Sequence, residues 1–414
     1  SIDNIRETLP YLLPEQHDDV LKAETQFFDP SHDVRDTSYG KGMMFTNGTG
    51  TGKTYTGLGI VKRFVKRGKT EILIVVPSQT KVTDWINDAQ NLGLDVVPLA
   101  SVQDTGAGLN ITTYANFGMN EAIKGRTFDL VVYDECHRLM ESQGGEPSER
   151  TYKHYTITNK DEDTAYRRLL ALEPAYIRRA EVREKIAPSE KELSRYRENP
   201  DLYEKEIARL EGELAPLRAE EKMLTEALDA KEPQLQEAAR EAVARTKVLF
   251  LSATPFKSRF SLAYVESYLF KYPEVERNGY NTPGPEEAFY MEHFGAAYRM
   301  RYNRMENHVE DAELVARQEV AFSELLKERG VLSGRMISSD MDYSRDFPAV
   351  TGFNAGTFNR ALTEVYDSES DFSELRQDFG EVFHDYNYST QLFEVLKASA
   401  AAERIGRHLA LGRS

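Results

Sequence analysis

The stretch that decides the fold runs Met43-Met44-Phe45-Thr46-Asn47-Gly48-Thr49-Gly50-Thr51-Gly52-Lys53-Thr54. A short apolar strand leads into a glycine-rich loop, and a helix is predicted from about Lys53 to Arg67, with Gly68 as its stop. Glycines let backbone N–H groups approach phosphates closely, and the helix N-terminus adds partial positive charge. The pattern therefore predicts a phosphate-binding loop, with Lys53 reaching the phosphates and Thr54 ligating Mg²⁺. The predicted nucleotide-binding residues in this stretch are Gly48, Thr49, Gly50, Thr51, Gly52, Lys53 and Thr54.

One position departs from the strict form of this loop. Asn47 stands where the usual pattern has its first glycine. A flexible glycine turn without a ligand is the alternative interpretation, but the strand before the loop and the helix after it favour phosphate binding.

Apolar runs suited to strands lie on both sides of the loop. They occupy residues 43–46, 72–76, 110–114, 128–133 and 248–251, and helical stretches separate the first four. Near-continuous apolar strands that alternate with helices are typical of a parallel sheet covered on both faces. The sequence therefore predicts an α/β domain with a buried parallel sheet.

The fourth run ends in two acidic residues, Asp134 and Glu135, which Cys136 and His137 follow. Ligands of parallel sheets bind at the carboxyl ends of the strands, so we expect both carboxylates beside the phosphate loop. We assign Asp134 to Mg²⁺ binding, and Glu135 to orienting and deprotonating the attacking water. His137 is expected to link the nucleotide site to a moving element. A capping role is the alternative for the two acids considered alone.

Ser252-Ala253-Thr254-Pro255 follows the fifth run. Small hydroxyl side chains at this point can bridge the acidic pair to neighbouring elements, and we assign this coupling role to Ser252 and Thr254. The motif is informative only because it follows the phosphate loop and the acidic pair in this order.

In this order the motifs resemble those of superfamily-2 helicases and translocases. Residues 49–54 resemble motif I of that group, residues 134–137 resemble a DExH-type motif II, and residues 252–254 resemble motif III. The resemblance covers residues 11–256 apart from an insertion. It implies a RecA-like lobe that hydrolyses ATP with Mg²⁺ and contacts nucleic acid, DNA rather than RNA.

Three further matches carry site residues. Leu13-Pro14-Glu15-Gln16 is similar to the glutamine motif of the group, which implies that Gln16 reads the adenine edge. Pro77-Ser78 with the later Trp85 resembles motif Ia, and residues 111–114 resemble motif Ib. The resemblance implies contacts with the nucleic-acid backbone around these two motifs, at Ser78, Gln79, Thr113 and Tyr114.

A narrower resemblance concerns Lys327-Glu328-Arg329-Gly330-Val331 and Ser338-Ser339-Asp340-Met341-Asp342. They look like the segment after motif III in strawberry-notch-type helicases, which include phage- and plasmid-encoded proteins. This implies a cytoplasmic protein of a prokaryote or a phage. That group has a short connection where this chain has its insertion, so the resemblance does not explain the insertion.

The insertion, residues 141–245, is predicted to form a helical arm. Of its 105 residues 43 are charged, and its apolar residues follow an interrupted heptad spacing, as in a coiled coil. A capping box at residues 189–192 and Asn199-Pro200 indicate helix starts, while Pro216 and Pro233 argue against one unbroken helix. We therefore expect antiparallel helical pieces. A solvated spacer is the first interpretation, and an arm that binds a protein partner or nucleic acid is the alternative.

The predicted organisation has four parts. Helices are expected near residues 286–307, 311–329 and 391–411, so the segment after the sheet is predicted to be mainly helical. The parts are a RecA-like lobe formed by residues 1–140 and 246–272, the insertion at 141–245, an accessory segment at 273–395, and the start of a second RecA-like lobe at 396–414.

The second lobe of superfamily-2 enzymes supplies arginine fingers from a Gln-x-x-Gly-Arg-x-x-Arg motif, which this sequence lacks. The chain also begins without Met, which favours a processed or excised piece. We therefore expect a second lobe to be a missing partner, and residues 1–414 alone to hydrolyse ATP weakly.

Composition excludes several classes of protein. The net charge of −16 argues against a globally basic nucleic-acid coat protein but permits a local basic groove. No apolar run approaches the roughly 18 residues of a membrane span. The single cysteine, Cys136, excludes an internal disulfide and a cysteine-rich zinc site.

One basic cluster is interpreted first as a solvated helix end: Lys62, Arg63, Lys66, Arg67 and Lys69.

Two hypotheses of function follow, and a third is weaker. The first is the N-terminal motor lobe of an ATP-dependent superfamily-2 DNA helicase or translocase. The second is an ATP-gated scaffold whose arm is the working surface and which separates no strands. A P-loop kinase explains neither the DExH element nor residues 252–254.

Overall fold

The computed structural model describes residues 1–29, 41–48, 51–140, 148–256, 262–275, 282–295, 297–299, 304–306 and 312–334. The helix expected near residues 391–411 and the segment 396–414 lie outside the described residues.

A seven-stranded parallel sheet is the centre of the fold. The described strands are β1 (Gly42–Phe45), β2 (Ile72–Val76), β3 (Val97–Pro98), β4 (Leu109–Thr113), β5 (Leu130–Asp134), β6 (Lys247–Leu251), β7 (Ala297–Arg299), β8 (Arg304–Glu306) and β9 (Leu332–Ser333). The sheet has the order β3-β4-β2-β5-β6-β1-β9, and every neighbouring pair is parallel. This confirms the predicted α/β class. The short strands β3 and β9 were not predicted from the sequence.

Helices cover both faces of this sheet. They are α1 (Ile2–Thr8), α2 (Pro14–Phe28), α3 (Lys53–Lys66), α4 (Gln79–Asn91), α5 (Tyr114–Met119), α6 (Glu149–Ile157), α7 (Glu162–Leu172), α8 (Pro174–Tyr196), α9 (Glu204–Arg245), α10 (Pro285–Phe294) and α11 (Ala312–Glu328). One buried apolar layer joins the sheet to α1–α4, and the other joins it to α5, α6, α10 and α11. No described helix has both the length and the apolar character needed to cross a bilayer.

The insertion leaves the sheet after β5 and returns at β6, the neighbour of β5. Its helices α8 and α9 form an antiparallel hairpin, because early residues of α8 pair with late residues of α9. Arg183 of α8 pairs with Glu221, and Arg197, directly after the end of α8, pairs with the earlier Glu211 of α9. Apolar side chains fill the space between the two helices, including Val182, Ile186, Leu193, Leu210 and Leu214.

Helix α9 is unbroken over 42 residues, so the prediction that Pro216 and Pro233 interrupt it is wrong. A proline inside a helix removes one hydrogen bond and costs about 3 kcal/mol. Both prolines lie on the exposed side, where the carbonyls of Gly212 and Asp229, four residues earlier, are at exposed positions that water can reach. Packing of the opposite side against α7 and α8, which buries Leu210, Leu214, Leu228 and Leu235, outweighs this cost.

Three other boundaries differ from the prediction. The capping box at 189–192 lies inside α8, and Asn199-Pro200 lies in the turn before α9, which begins at Glu204. The helix expected over 286–307 ends at Phe294, because Gly295 adopts a left-handed conformation with φ of 59°. The hairpin β7–β8 follows it. The helix expected over 311–329 is confirmed as α11.

Helix α6 lies within the predicted insertion but packs on the sheet. The Nε2–H of its His154 donates to the carbonyl oxygen of Tyr264 at 3.0 Å, and Nδ1 accepts from the Tyr133 hydroxyl at 2.9 Å. Burial lowers the pKa of His154 to about 3, so the imidazole is neutral at ordinary pH. This part of the insertion is therefore continuous with the core of the α/β domain.

Buried polar side chains fasten the base of the arm to the sheet. The guanidinium of Arg168 donates to Asn159 Oδ1 at 2.9 Å, to the carbonyls of Lys124 and Arg126, and to Thr127 Oγ1. Lys41, beside β1, donates to the carbonyl of Thr158 at 2.7 Å and also to that of Asn159, and burial holds its pKa well below the usual value. The base of the arm is therefore fixed to the lobe.

We predict that Arg168→Met lowers the free energy of unfolding by about 2–4 kcal/mol, because buried acceptors lose a charged donor. Arg167→Met is the matched control, since the Arg167 side chain is 76% exposed and pairs with Asp163 on the surface. We expect less than about 0.5 kcal/mol for it. Denaturant unfolding of both variants measures the two values, and equal losses would contradict the role assigned to Arg168.

Candidate nucleotide site and nucleic-acid interface

The glycine-rich loop joins the carboxyl end of β1 to the start of α3. Gly52 has a left-handed φ of 76° and precedes Lys53, the first residue of α3. The Lys53 ammonium donates to the carbonyls of Asn47 at 3.0 Å and Gly48 at 3.3 Å, and Thr51 Oγ1 donates to the Gly48 carbonyl at 2.7 Å. The lysine thus lies across the loop. Thr54 is half-buried in the first turn of α3, and Thr49 and Gly50 lie outside the described residues.

Asn47, the departure from the usual loop sequence, has a structural partner. Its Nδ2 donates to Asp19 Oδ2 on α2 at 2.9 Å, and both side chains are buried. The amide therefore fixes the start of the loop to α2, which glycine in its place could not do. Sequence reasoning missed Asp19, since nothing in its neighbourhood marks it as a partner of the loop.

Gln16 lies at the end of the loop. Its Nε2 donates to the carbonyl of Gly52 at 3.2 Å and to that of Thr51 at 3.4 Å, while its Oε1 accepts from the backbone N–H of Leu13. A Cβ atom on Gly52 would lie 2.3 Å from Gln16 Nε2, so glycine is needed there for space as well as for its φ angle. The amide predicted to read adenine is thus in contact with the phosphate loop.

Asp134 ends β5 and is held by two buried aromatic side chains. Trp85 Nε1 on α4 donates to Asp134 Oδ2 at 3.1 Å, and the Tyr114 hydroxyl on α5 donates to the Asp134 carbonyl at 2.9 Å. Burial raises the pKa of Asp134, and the indole hydrogen bond opposes that shift. The sequence linked Trp85 only to motif Ia and did not predict this contact.

Glu135 adopts an uncommon backbone conformation, with φ of 52°. Non-glycine residues in this region are strained by about 1–3 kcal/mol and are frequent at functional sites. Its carboxylate Oε2 accepts from Ser252 Oγ at 3.2 Å and lies 3.4 Å from His137 Nδ1. The hydrogen bond with His137 lowers the pKa of Glu135, and the positive charge of Lys53 acts in the same direction. The half-buried carboxylate is therefore favoured as the ion.

Ser252 connects the acidic motif to the segment after β6. Its fully buried hydroxyl donates to Glu135, contacts His137 Nδ1 at 3.1 Å, and accepts from the backbone N–H of Thr254 at 3.2 Å. The Thr254 side chain is exposed. The described contacts thus bring Ser252, His137 and Glu135 into one network, to which Thr254 contributes its backbone.

The residues predicted to contact nucleic acid lie at the carboxyl ends of β2 and β4: Ser78 and Gln79 follow β2, Thr113 ends β4, and Tyr114 comes next. Ser78 Oγ accepts from Lys81 N as the cap of α4, and Thr113 Oγ1 accepts from Asn116 N as the cap of α5. Gln79 and Thr113 line one groove with a volume of about 370 Å³. Ser78 and Gln79 are exposed, whereas Tyr114 is 2% exposed and points to Asp134. Its side chain therefore supports the acidic motif and does not reach this surface.

The basic cluster of α3 is occupied by structural contacts. The Arg63 guanidinium forms two hydrogen bonds with the carboxylate of Glu24, and Arg67 pairs with the same group. Lys62 Nζ donates to the carbonyl of Leu92 at 2.6 Å. The expected solvated helix end therefore describes Lys66 and Arg67, which are exposed, whereas Arg63 is buried against Glu24.

Residues 12–170, less than half of the chain, match the family described as the res subunit of type III restriction enzymes. The match includes the phosphate loop and the acidic pair, and it supports a helicase-type ATPase domain of superfamily 2 in this part of the chain. No curated protein sequence matches this chain.

Among solved structures, the SWI2/SNF2 ATPase core of Sulfolobus solfataricus in complex with double-stranded DNA is similar to this chain. The TM-score is 0.39 at 10% sequence identity, and the alignment covers 79% of this chain and 44% of that one. This chain therefore spans less than half the length of that neighbour.

We predict that Gly52→Ala lowers the free energy of unfolding by about 2 kcal/mol and Gly68→Ala by about 1 kcal/mol. Both glycines have a left-handed φ, 76° and 74°, so both substitutions carry the same backbone strain. Only Gly52→Ala also displaces an amide that donates two hydrogen bonds, since a Cβ on Gly68 meets nothing within 4 Å.

Denaturant unfolding in wild-type and Gln16→Ala backgrounds isolates the cost of displacing the Gln16 amide. The excess cost of Gly52→Ala should vanish when Gln16 is absent, because no amide remains to be displaced. An excess that persists in the Gln16→Ala background would contradict the assigned contact.

Proposed function

We propose that this chain is the nucleotide-binding motor lobe of an ATP-dependent superfamily-2 DNA helicase or translocase. The observation that supports this most is the hydrogen-bonded network of Glu135, Ser252 and His137, beside Asp134 at the carboxyl end of β5. It joins the acidic motif to the segment after β6, so a change in the bound nucleotide can change the position of that segment. Such a connection is expected in a motor, and a static nucleotide-binding fold has no need of it.

In this proposal the loop and α3 bind the phosphates of ATP. Lys53 binds the β- and γ-phosphates, and the loop N–H groups from Gly48 to Gly52 surround them. Gln16 reads the adenine from its place against Gly52. The donor set suits Mg²⁺: Thr54 and Asp134 offer hard oxygen ligands and would hold the ion, which neutralises phosphate charge when bound.

Glu135 is proposed to orient the attacking water and to accept its proton at the carboxylate. Its lowered pKa keeps it ionised at neutral pH, as a general base requires. Ser252 and His137 hold the carboxylate in place through Oε2 and carry its position to the segment after β6. In the same proposal Ser78, Gln79 and Thr113 contact the nucleic-acid backbone without reading its sequence.

Four further points complete the proposal. The nucleic acid is DNA, the protein is of the DExH and strawberry-notch type, it is a cytoplasmic protein of a prokaryote or a phage, and a second RecA-like lobe is its partner. Each of them rests on the sequence resemblance of the motifs. The four-part division of the chain belongs to the proposal too, with α6 added to the lobe because it packs on the sheet.

We expect Lys53→Ala to weaken binding of Mg²⁺·ATP about 10- to 100-fold, because a charged donor to the phosphates is lost. Glu135→Gln should leave that affinity within about threefold and lower single-turnover hydrolysis by ~10²–10⁴, because the proton acceptor is removed. A fluorescent ATP analogue measures binding, and hydrolysis is measured with the protein in excess over ATP.

Lys66→Ala is the matched control, since Lys66 is an exposed lysine in the last turn of the same helix. It should change neither quantity. Unchanged binding in Lys53→Ala, or unchanged hydrolysis in Glu135→Gln, would refute the corresponding role.

The ATP-gated scaffold is the second candidate, and exposed apolar side chains on the arm favour it. Leu202 in the turn between α8 and α9 is 77% exposed, and Met223 on α9 is 61% exposed. Such side chains on an otherwise charged hairpin suit a binding surface for a protein partner or nucleic acid.

Replacing residues 183–222 with a short glycine-serine turn separates the two candidates. The pairing of Glu173 with Lys231 and the packing of α7 on α9 remain, so the base of the arm stays intact. For a motor lobe we expect affinities for ATP and duplex DNA within about twofold of wild type. Loss of DNA or partner binding with unchanged ATP affinity would instead favour the arm as the working surface, and Leu202→Ser tests its exposed turn alone.

A further inference from the structure

Two buried aromatic donors from different helices converge on one residue of the proposed nucleotide site. The indole N–H of Trp85 holds the Asp134 carboxylate at 3.1 Å, and the Tyr114 hydroxyl holds the Asp134 carbonyl at 2.9 Å. Trp85 and Tyr114 are 0% and 2% exposed. Between them they fix both the side chain and the peptide of Asp134.

The same two helices begin at the groove after β2 and β4. Trp85 lies seven residues beyond the cap of α4, Ser78, which is about 10 Å along the helix axis. Tyr114 directly follows the cap of α5, Thr113. Gln79 and Thr113 both line the groove, so each helix has one end at the groove and an aromatic donor at Asp134.

Tight packing leaves the indole little freedom to move independently of its helix. A Cβ atom on Gly57 of α3 would lie 2.9 Å from Trp85 Cη2 and 3.0 Å from a methyl group of Leu251. The ring therefore lies in close contact with α3, the helix that follows the phosphate loop. A shift of α4 is transmitted to Asp134, because close-packed interiors deform little.

We propose that Trp85 and Tyr114 are positioning residues that couple occupancy of this groove by a nucleic-acid backbone to the orientation of Asp134. The inference rests on the proposed function and adds the route between its two sites. A ligand that shifts the start of α4 or α5 moves a donor of Asp134, and a change at Asp134 acts back on the same helices. Coupling between binding sites is reciprocal, so each ligand changes the affinity for the other by the same factor.

Equilibrium binding tests the route without requiring turnover. The affinity for a fluorescent, non-hydrolysable ATP analogue with Mg²⁺ is measured with and without a saturating DNA duplex, and the ratio is the coupling factor. We expect at least a fivefold factor in the wild type. Tyr114→Phe removes only a hydroxyl, and Trp85→Phe removes the indole N–H but retains an aromatic ring. Each should reduce the factor at least threefold, while each ligand alone binds within about threefold of wild type.

Tyr155→Phe is the matched control, because the Tyr155 hydroxyl also donates to a backbone carbonyl, that of Ala263 at 3.0 Å, and this hydrogen bond does not involve Asp134. Its coupling factor should equal that of the wild type. A purely structural role of Tyr114 or Trp85 would lower stability or both affinities and leave the ratio unchanged, and that result would overturn the proposal.

Trp85 also supplies a spectroscopic reading, since it is the only tryptophan of the chain. Duplex DNA alone should change its emission in the wild type, and the change should be smaller in Tyr114→Phe, where one of the two connections to Asp134 is lost. Emission that does not respond to duplex would overturn the route through Trp85. If the wild type binds both ligands but the coupling factor is one, this inference fails and the proposed function stands. If the wild type binds neither ligand, the proposed function fails as well.

Discussion

The parallel pairing of β1, β6 and β5 is the constraint on which the proposed site depends. These adjacent strands share one direction, so their carboxyl ends meet at one edge of the sheet. Segments separated by more than 80 residues of sequence therefore become neighbours: the loop after β1, the acidic pair after β5, and Ser252 after β6. A register shift between β5 and β6 would separate Ser252 from Glu135, since their hydrogen bond joins the ends of these two strands.

The same pairing explains why the arm must be held at its base. β5 and β6 are neighbours, so the helices between them leave and return within the width of one strand pair. Arg168 and Lys41 fix this base through backbone carbonyls and amide groups, without a buried carboxylate partner in the contacts described for either. A buried polar donor is costly unless it is hydrogen-bonded, so this arrangement restricts the base to one geometry.

Local sequence patterns predicted the parts of the structure that depend on local chemistry. The strands β1, β2, β4, β5 and β6, the start of α3 at Lys53, and the meeting of Glu135 with Ser252 follow from strand periodicity, glycine spacing and the geometry of parallel sheets. The continuity of α9 could not be predicted this way, because packing against α7 and α8 outweighs the cost of Pro216 and Pro233. The pairing of Asn47 with Asp19 could not be predicted either, since it joins the loop after β1 to the middle of α2, 28 residues away in the sequence.

At Tyr114 the role implied by motif resemblance differs from the position of the side chain in the structure. The position of Tyr114 directly after a strand fits a surface contact as well as it fits a buried role. In the structure its ring is buried and its hydroxyl donates to the Asp134 carbonyl. The Trp85 indole binds the carboxylate of the same residue from α4, which packs on the opposite face of the sheet from α5. In both segments a polar residue caps the helix at the groove and an aromatic one reaches the acidic motif, so each segment contacts both regions. The two segments that resemble motifs Ia and Ib therefore also set the environment of the Asp134 carboxylate, which the proposed function assigns to Mg²⁺ binding.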